Sequence, residues 1–198
     1  RIINYAGTGT LTLNNLNLVN GKTTLNGGAV YALNGGNIQI SGSNLINNSA
    51  NNGGAVYTTG DVNIITSQLI NNTANTGTGI YAGTATINYN IIKGNSLTNK
   101  VIYVTNTDKS NVNFNWWGKN LPEINNLSNV NTDFFVIATM NSYDNVMVNT
   151  TTPIVVNLNS YIDTKTNKTF YLGLELPSDY VKFNTDNGNY SVKEGYLN

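Results

Sequence analysis

Through the first 120 positions, short runs of alternating apolar and polar residues return about every 22 to 27 residues. Residues 10–13, 37–40, 61–64 and 85–88 alternate with period two and are bounded by Gly or Asn, which predicts short strands between turns. An apolar-aromatic pair precedes the last three of these and recurs once more: Val30-Tyr31, Val56-Tyr57, Ile80-Tyr81 and Ile102-Tyr103. A third short strand is predicted at 44–47, 68–71 and 90–92. Three strands and three turns fill about 24 residues at roughly 3.3 Å per strand residue, which makes one coil of a parallel β-helix. A repeat of this length with no helical pattern marks a solenoid. A hairpin array would need two-residue turns between paired runs, and these are missing. A leucine-rich repeat would need a leucine spacing the chain lacks. The expected fold is all-β: a right-handed parallel β-helix of about five coils over 1–120.

Stacked coils place equivalent residues about 4.8 Å apart, so like side chains form ladders. Asn48 and Asn72 are expected to stack at a turn and exchange amide hydrogen bonds. The Gly27-Gly28 and Gly53-Gly54 pairs suit a corner that needs positive φ or close backbone approach. With Val30, Val56, Ile80 and Ile102 pointing inward, parity puts Tyr31, Tyr57, Tyr81 and Tyr103 on the outer face. The repeats end at 113–118, where Trp116 and Trp117 stand together. An open solenoid end exposes core and strand edges, and two large aromatics suit a cap. Residues 121–132, with Pro122, read as a linker. Beyond it, strands are predicted at 134–138, 145–148, 154–158, 169–174, 180–184 and 190–192, with a turn at 186–189. That spacing suits an antiparallel Ig-like β-sandwich over 133–198, short of its full strand number. The chain therefore reads as a fragment of a larger protein.

Composition narrows the function. Only 10% of residues are charged, Asn supplies 40 of 198, and the net charge is zero. Nothing points to nucleic acid or to an anionic membrane as partner. Charge is unevenly spread: residues 1–92 carry only Arg1, Lys22 and Asp61, whereas 121–198 carry eight acids and four lysines, as expected for a second domain. The chain has no cysteine and no histidine, which leaves the compartment open. Six Asn-x-Ser/Thr sequons, at Asn47, Asn71, Asn126, Asn149, Asn167 and Asn189, favour export mildly. No run is apolar enough to span a membrane as a helix.

Gly-Gly-Ala-Val at 27–30 and 53–56, with Leu-x-x-Asn at 45–48 and 69–72, resembles the Gly-Gly-Ala-Ile and Phe-x-x-Asn repeats of polymorphic outer-membrane proteins. Asn-Phe-Asn-Trp-Trp-Gly-Lys-Asn at 113–120 resembles the motif closing the β-helix of adhesin-like proteins of methanogenic archaea. The segment from Leu176-Pro177 to Thr185 resembles a bacterial Ig-like domain of the invasin kind. Leu stands where the repeat has Phe, and Gly77-Thr78-Gly79 breaks the Gly-Gly-Ala pattern. The resemblance implies an extracellular, cell-surface protein that attaches to glycans or proteins of another cell; from the residues, no cofactor or metal is expected.

The residues themselves offer little catalytic chemistry. The repeats contribute only Asp61 and Asp108, in different coils, so no carboxylate pair for glycoside hydrolysis assembles. A calcium-assisted lyase would need a larger cluster. Without His or Cys the usual metal-hydrolase and nucleophilic arrangements are excluded. Gly21-Lys22-Thr23-Thr24 ends like a phosphate-binding loop, but Leu16 occupies the place of its first glycine. Asp133, Asp144, Asp163 and Asp186 are spread too widely for a calcium site and read as surface charge. The candidate ligand-binding residues are Tyr31, Tyr57, Tyr81 and Tyr103. As exposed aromatics on a flat sheet they would stack on sugar rings; as plain strand residues they would stack on one another. The expected function is non-catalytic adhesion, with a purely structural stalk as the rival and a polysaccharide-active enzyme as the least favoured reading.

Overall fold

The computed structural model describes residues 1–96, 99–120, 122, 124–140, 155–174, 176–181 and 195–197. The first coil contains β1 (Ile3–Tyr5), β2 (Thr10–Asn14) and β3 (Asn17–Val19). The second contains β4 (Val30–Ala32), β5 (Asn37–Ser41) and β6 (Asn44–Ile46), and the third β7 (Val56–Tyr57), β8 (Asp61–Ile65) and β9 (Gln68–Ile70). The fourth holds β10 (Ile80–Ala82), β11 (Thr84–Asn88) and β12 (Ile91–Lys93), and β13 (Ile102–Val104) opens a fifth. Each strand pairs in parallel with its counterpart one coil away, giving three sheets: A (β1-β4-β7-β10-β13), B (β2-β5-β8-β11) and C (β3-β6-β9-β12). The fold is a right-handed parallel β-solenoid with four complete coils. Single bridges from Thr86 to Asn111 and from Ile91 to Trp116 carry sheets B and C into the fifth.

The core is a set of aliphatic columns. Val30, Val56, Ile80 and Ile102 stack inside sheet A; Leu11, Ile38, Val62 and Ala85 and then Leu13, Ile40, Ile64 and Ile87 stack inside sheet B. Leu18, Leu45, Leu69 and Ile92 do the same in sheet C. Nearly all are fully buried. A narrow core of this kind has no room for a helix, so its polar backbone is satisfied between coils.

Corners are built by residues with positive φ. Gly27 and Gly53 adopt φ of 69° and 61° just before sheet A. Their neighbours have a different constraint: a Cβ on Gly28 would lie 2.1 Å from the Gly54 carbonyl oxygen, and one on Gly54 would lie 2.0 Å from that of Thr78. After sheet C the left-handed position is filled by Asn20, Asn47, Asn71 and Gly94, residue types that tolerate this conformation. The next residue turns inward and forms the expected amide ladder. Asn48, Asn72 and Asn95 are buried, and the Oδ1 of each accepts the backbone N–H of the residue one coil earlier: Gly21 (2.8 Å), Asn48 (2.9 Å) and Asn72 (2.8 Å). Their Nδ2 groups donate to the carbonyls of Leu18, Leu45 and Leu69. A second ladder, of Ser43, Ser67, Asn90 and Asn115, lines the corner between sheets B and C.

The coils shorten along the axis. The spacing between stacked positions falls from 27 residues (Ile3 to Val30) through 26 and 24 to 22 (Ile80 to Ile102). Most of the change from the second coil onward lies between sheets A and B, where Ala32 to Asn37 is five residues and Ala82 to Thr84 only two. The corner between sheets B and C is three residues every time, as from Asn14 to Asn17 and from Asn88 to Ile91.

Residues 124–132 lie along the end of the solenoid. The short helix α1 (Ile124–Leu127) is followed by a bridge from Ile102 to Ser128, and the Asn129 side chain bonds both N–H and C=O of Val104. Then β14 (Phe134–Met140), β15 (Val156–Asp163) and β16 (Lys168–Tyr171) form an antiparallel sheet, with β17 (Asp179–Val181) paired to β18 (Gly195–Leu197). This is consistent with part of an Ig-like sandwich. β15 runs on to Asp163, past the predicted stop at 158, because Tyr161 and Ile162 continue its pairing with Phe135 and Val136. The strands predicted at 145–148 and 190–192 and the turn at 186–189 lie outside the described residues.

Trp116 and Trp117 have separate roles. Trp117 follows Leu18, Leu45, Leu69 and Ile92 as the last residue of the inward column, in a core that continues through Leu127, Val130 and Phe135. Trp116 continues the outward column of Asn17, Asn44, Gln68 and Ile91, yet it is buried, in a cluster with Ile91, Val136, Leu158 and Leu176. The antiparallel sheet thus packs on the outside of sheet C. Tyr89, Phe114 and Phe134 form an aromatic column at the same junction, with centroids 5.5 and 5.2 Å apart, and Tyr161 meets Phe114 and Phe134 edge-on.

Candidate binding groove

Tyr31, Tyr57, Tyr81 and Tyr103 occupy the second position of their strands in sheet A and face outward, half-buried, as parity requires. Parallel in-register pairing puts each ring on the next. Centroids are 5.5, 4.9 and 5.1 Å apart, with planes inclined by 24°, 18° and 27°. Both faces of Tyr57 and of Tyr81 are therefore covered by neighbouring rings. The Arg1 guanidinium lies over Tyr31 at 4.2 Å from its centroid, a cation–π contact. The ladder offers its ring edges and hydroxyls outward, and an incoming sugar has no free face of Tyr57 or Tyr81 on which to stack.

Beside the ladder, the turn between sheets C and A supplies a second wall. Asn52, Thr76, Asn99 and Lys100 face Tyr57, Tyr81 and Tyr103 across a groove of about 480 Å³ that crosses successive coils. The turn wall is itself stacked: Asn52 bridges to Thr76 through the backbone, and its Nδ2 donates to Asn26 Oδ1 at 3.0 Å. Asn99 Nδ2 donates to the Asn75 carbonyl, and Lys100 Nζ to that of Asn125. Among the described residues, the hydroxyls of Tyr57, Tyr81 and Tyr103 have no hydrogen-bond partner. Burial, followed by the closeness of Tyr81 and Tyr31, raises the Tyr57 phenol above its ordinary range, because adjacent phenolates repel. The groove is thus a neutral strip of donors and acceptors with one cation, Lys100, near its end. Sequence reasoning found the Tyr column by parity, but not the opposite wall, which lies in turns of irregular length.

The acids are placed as follows. Asp61 sits on the outer face of sheet B and accepts a hydrogen bond from Thr84 Oγ1 at 2.7 Å. Asp108 and Asp133 line one polar hollow of about 370 Å³ with Ser110, Asn111 and Asn129. Asp133 is paired with Lys165 Nζ at 2.8 Å. Asp163 caps its own hairpin turn by accepting from Thr166 Oγ1 and then from the Lys165 N–H, which hold its carboxyl below the usual range. Asp144 and Asp186 lie outside the described residues. Among the described residues no three acids gather to hold a metal ion.

Compared with protein-family models, curated proteins and solved structures, the chain has no significant match. The resemblance to adhesin-like proteins therefore rests on the motifs alone, and what stands independently is the β-solenoid scaffold.

Proposed function

We propose that this chain is a non-catalytic adhesive module of an extracellular surface protein. It would hold an extended ligand, a glycan or protein segment of another cell, in the groove beside the Tyr ladder. The observation that carries this reading is the run of three unpartnered hydroxyls, from Tyr57, Tyr81 and Tyr103, facing Asn52, Thr76 and Asn99 along one groove. A strip of this kind makes weak contacts repeated from coil to coil, and copies on a surface multiply them. The test is a glycan-array and whole-cell binding assay with Tyr57→Phe/Tyr81→Phe, which keeps the stacked rings and removes two hydroxyls. Binding should fall about tenfold with the melting temperature unchanged. Equal binding by the variant would move the site elsewhere.

A structural stalk is the second reading, favoured by the docking of the antiparallel sheet on sheet C through Trp116. That contact would make solenoid and following module a rigid spacer. If this chain binds no cell or glycan while a longer chain containing it does, the stalk reading is the better one.

A further inference from the structure

The outward face of sheet B differs from the Tyr groove in one respect that bears on binding. Each strand presents three outward residues, which stack into three columns by the parallel register. The two outer columns bond internally. Ser41 Oγ donates to Asn14 Oδ1 at 2.7 Å, Asp61 N–H to Asn37 Oδ1 at 2.9 Å, and Thr84 Oγ1 to Asp61 Oδ1 at 2.7 Å. The central column is Thr12, Gln39, Asn63 and Thr86. All four are exposed, and among the described residues none has a side-chain hydrogen-bond partner. Stacked carboxamides bond each other at Asn17/Asn44 and at Asn48/Asn72, whereas Gln39 and Asn63 are in register without bonding each other. A shallow groove of about 160 Å³ runs beside them, lined by Thr12, Gln39 and Asn63 on one side and Asn14, Ser41 and Ile65 on the other.

From this we infer a second binding surface, independent of the Tyr groove: the central column of sheet B takes a neutral polysaccharide lying along the solenoid axis. The chemistry selects the ligand. The strands of this face carry no Lys or Arg, so it has nothing to pair with phosphate or carboxylate, and its one anion, Asp61, is already bonded. It has no Trp, Tyr or Arg to anchor a protein partner. A neutral sugar chain presents hydroxyls that both donate and accept, matching the two Thr hydroxyls and the two carboxamides between them. Its apolar C–H surface can rest on Ile65, which is 41% exposed. Four positions repeated about every 4.8 Å give a contact strip of roughly 14 Å.

The experiment is co-sedimentation of the purified chain with insoluble cellulose and chitin, alongside retention on a neutral soluble glucan and on polygalacturonate. We expect retention on at least one neutral polymer and none on polygalacturonate. Gln39→Ala/Asn63→Ala should lower retention at least tenfold, while Val19→Thr, at an exposed position of sheet C, should leave it unchanged. Should the alanine pair disturb the fold by circular dichroism, Gln39→Val/Asn63→Val removes the same groups with better strand formers and should give the same loss. No retention on any neutral polymer, or wild-type retention by a folded double variant, overturns the inference.

Discussion

The Oδ1 of Asn72 accepts both the backbone N–H and the side-chain Nδ2–H of Asn48, at 2.9 and 3.0 Å. One residue type therefore serves as donor, acceptor and spacer in a turn that is otherwise free to change length. Asn72 also donates to the Leu45 carbonyl and to Asn95 Oδ1. Asn72→Ala would leave the buried backbone N–H of Asn48 unpaired and take one donor from the Leu45 carbonyl, at about 1–3 kcal/mol. Chemical denaturation should show a loss on the order of 3 kcal/mol, whereas exposed Asn63→Ala should change stability by less than about 0.5 kcal/mol.

Gly54 should tolerate no side chain. Its Cβ position lies 2.0 Å from the Thr78 carbonyl oxygen and 2.7 Å from that of Thr73, so Gly54→Ala would push two coils apart. Thermal unfolding followed by circular dichroism should show a clear drop in Tm. Gly173→Ala, with no atom within 4 Å of its Cβ but with φ of 72°, should cause a smaller one.

The Tyr ladder makes the protein sensitive to alkali. A phenol whose pKa is raised on folding stabilises the native state fully below its unfolded value of about 10, and that stability is lost as pH rises through the folded value. Tyr57 is such a group. Tm measured from neutral pH upward should fall more steeply beyond pH of about 10 than for Tyr57→Phe, which has no proton to lose. Identical curves would show that ladder ionisation does not reach the fold.

The two tryptophans should separate experimentally. Trp116→Ala removes the centre of the contact with Val136, Leu158 and Leu176, and large-to-small changes of this kind cost about 3–5 kcal/mol. Hydrogen exchange should accelerate in β14–β16 while the Asn48–Asn72–Asn95 turns stay protected. Trp117→Ala should instead loosen the last coil, with faster exchange at Ile92 and Val101. A uniform loss of protection in both variants would mean that solenoid and sheet unfold as one unit.

Much of this architecture could be read from the chain, and the reason is period. Inward and outward positions alternate strictly in a strand, so Val30 and Tyr31 had to face opposite ways, and the 22-to-27-residue return had to put Tyr on Tyr. Where the outcome depended on distant segments, the sequence was silent. Trp116 sits at an outward position, and only the arrival of Val136 and Leu158 makes it buried. Phe134 joins the column of Tyr89 and Phe114 across a turn of no fixed pattern. The central column of sheet B carried a signal, polar residues at every outward position, but that is also how any solvated strand reads. Only the hydrogen bonds of its flanking columns set it apart.

The unequal coils carry a last consequence. Between Val30 and Ile102 the chain gives up residues with every turn, yet each aliphatic, aromatic and amide column keeps its register. The corner between sheets B and C works as a fixed hinge pin, and the other two corners absorb the differences. Loops grafted at those two corners can therefore diversify the surface coil by coil, with the scaffold beneath them unmoved.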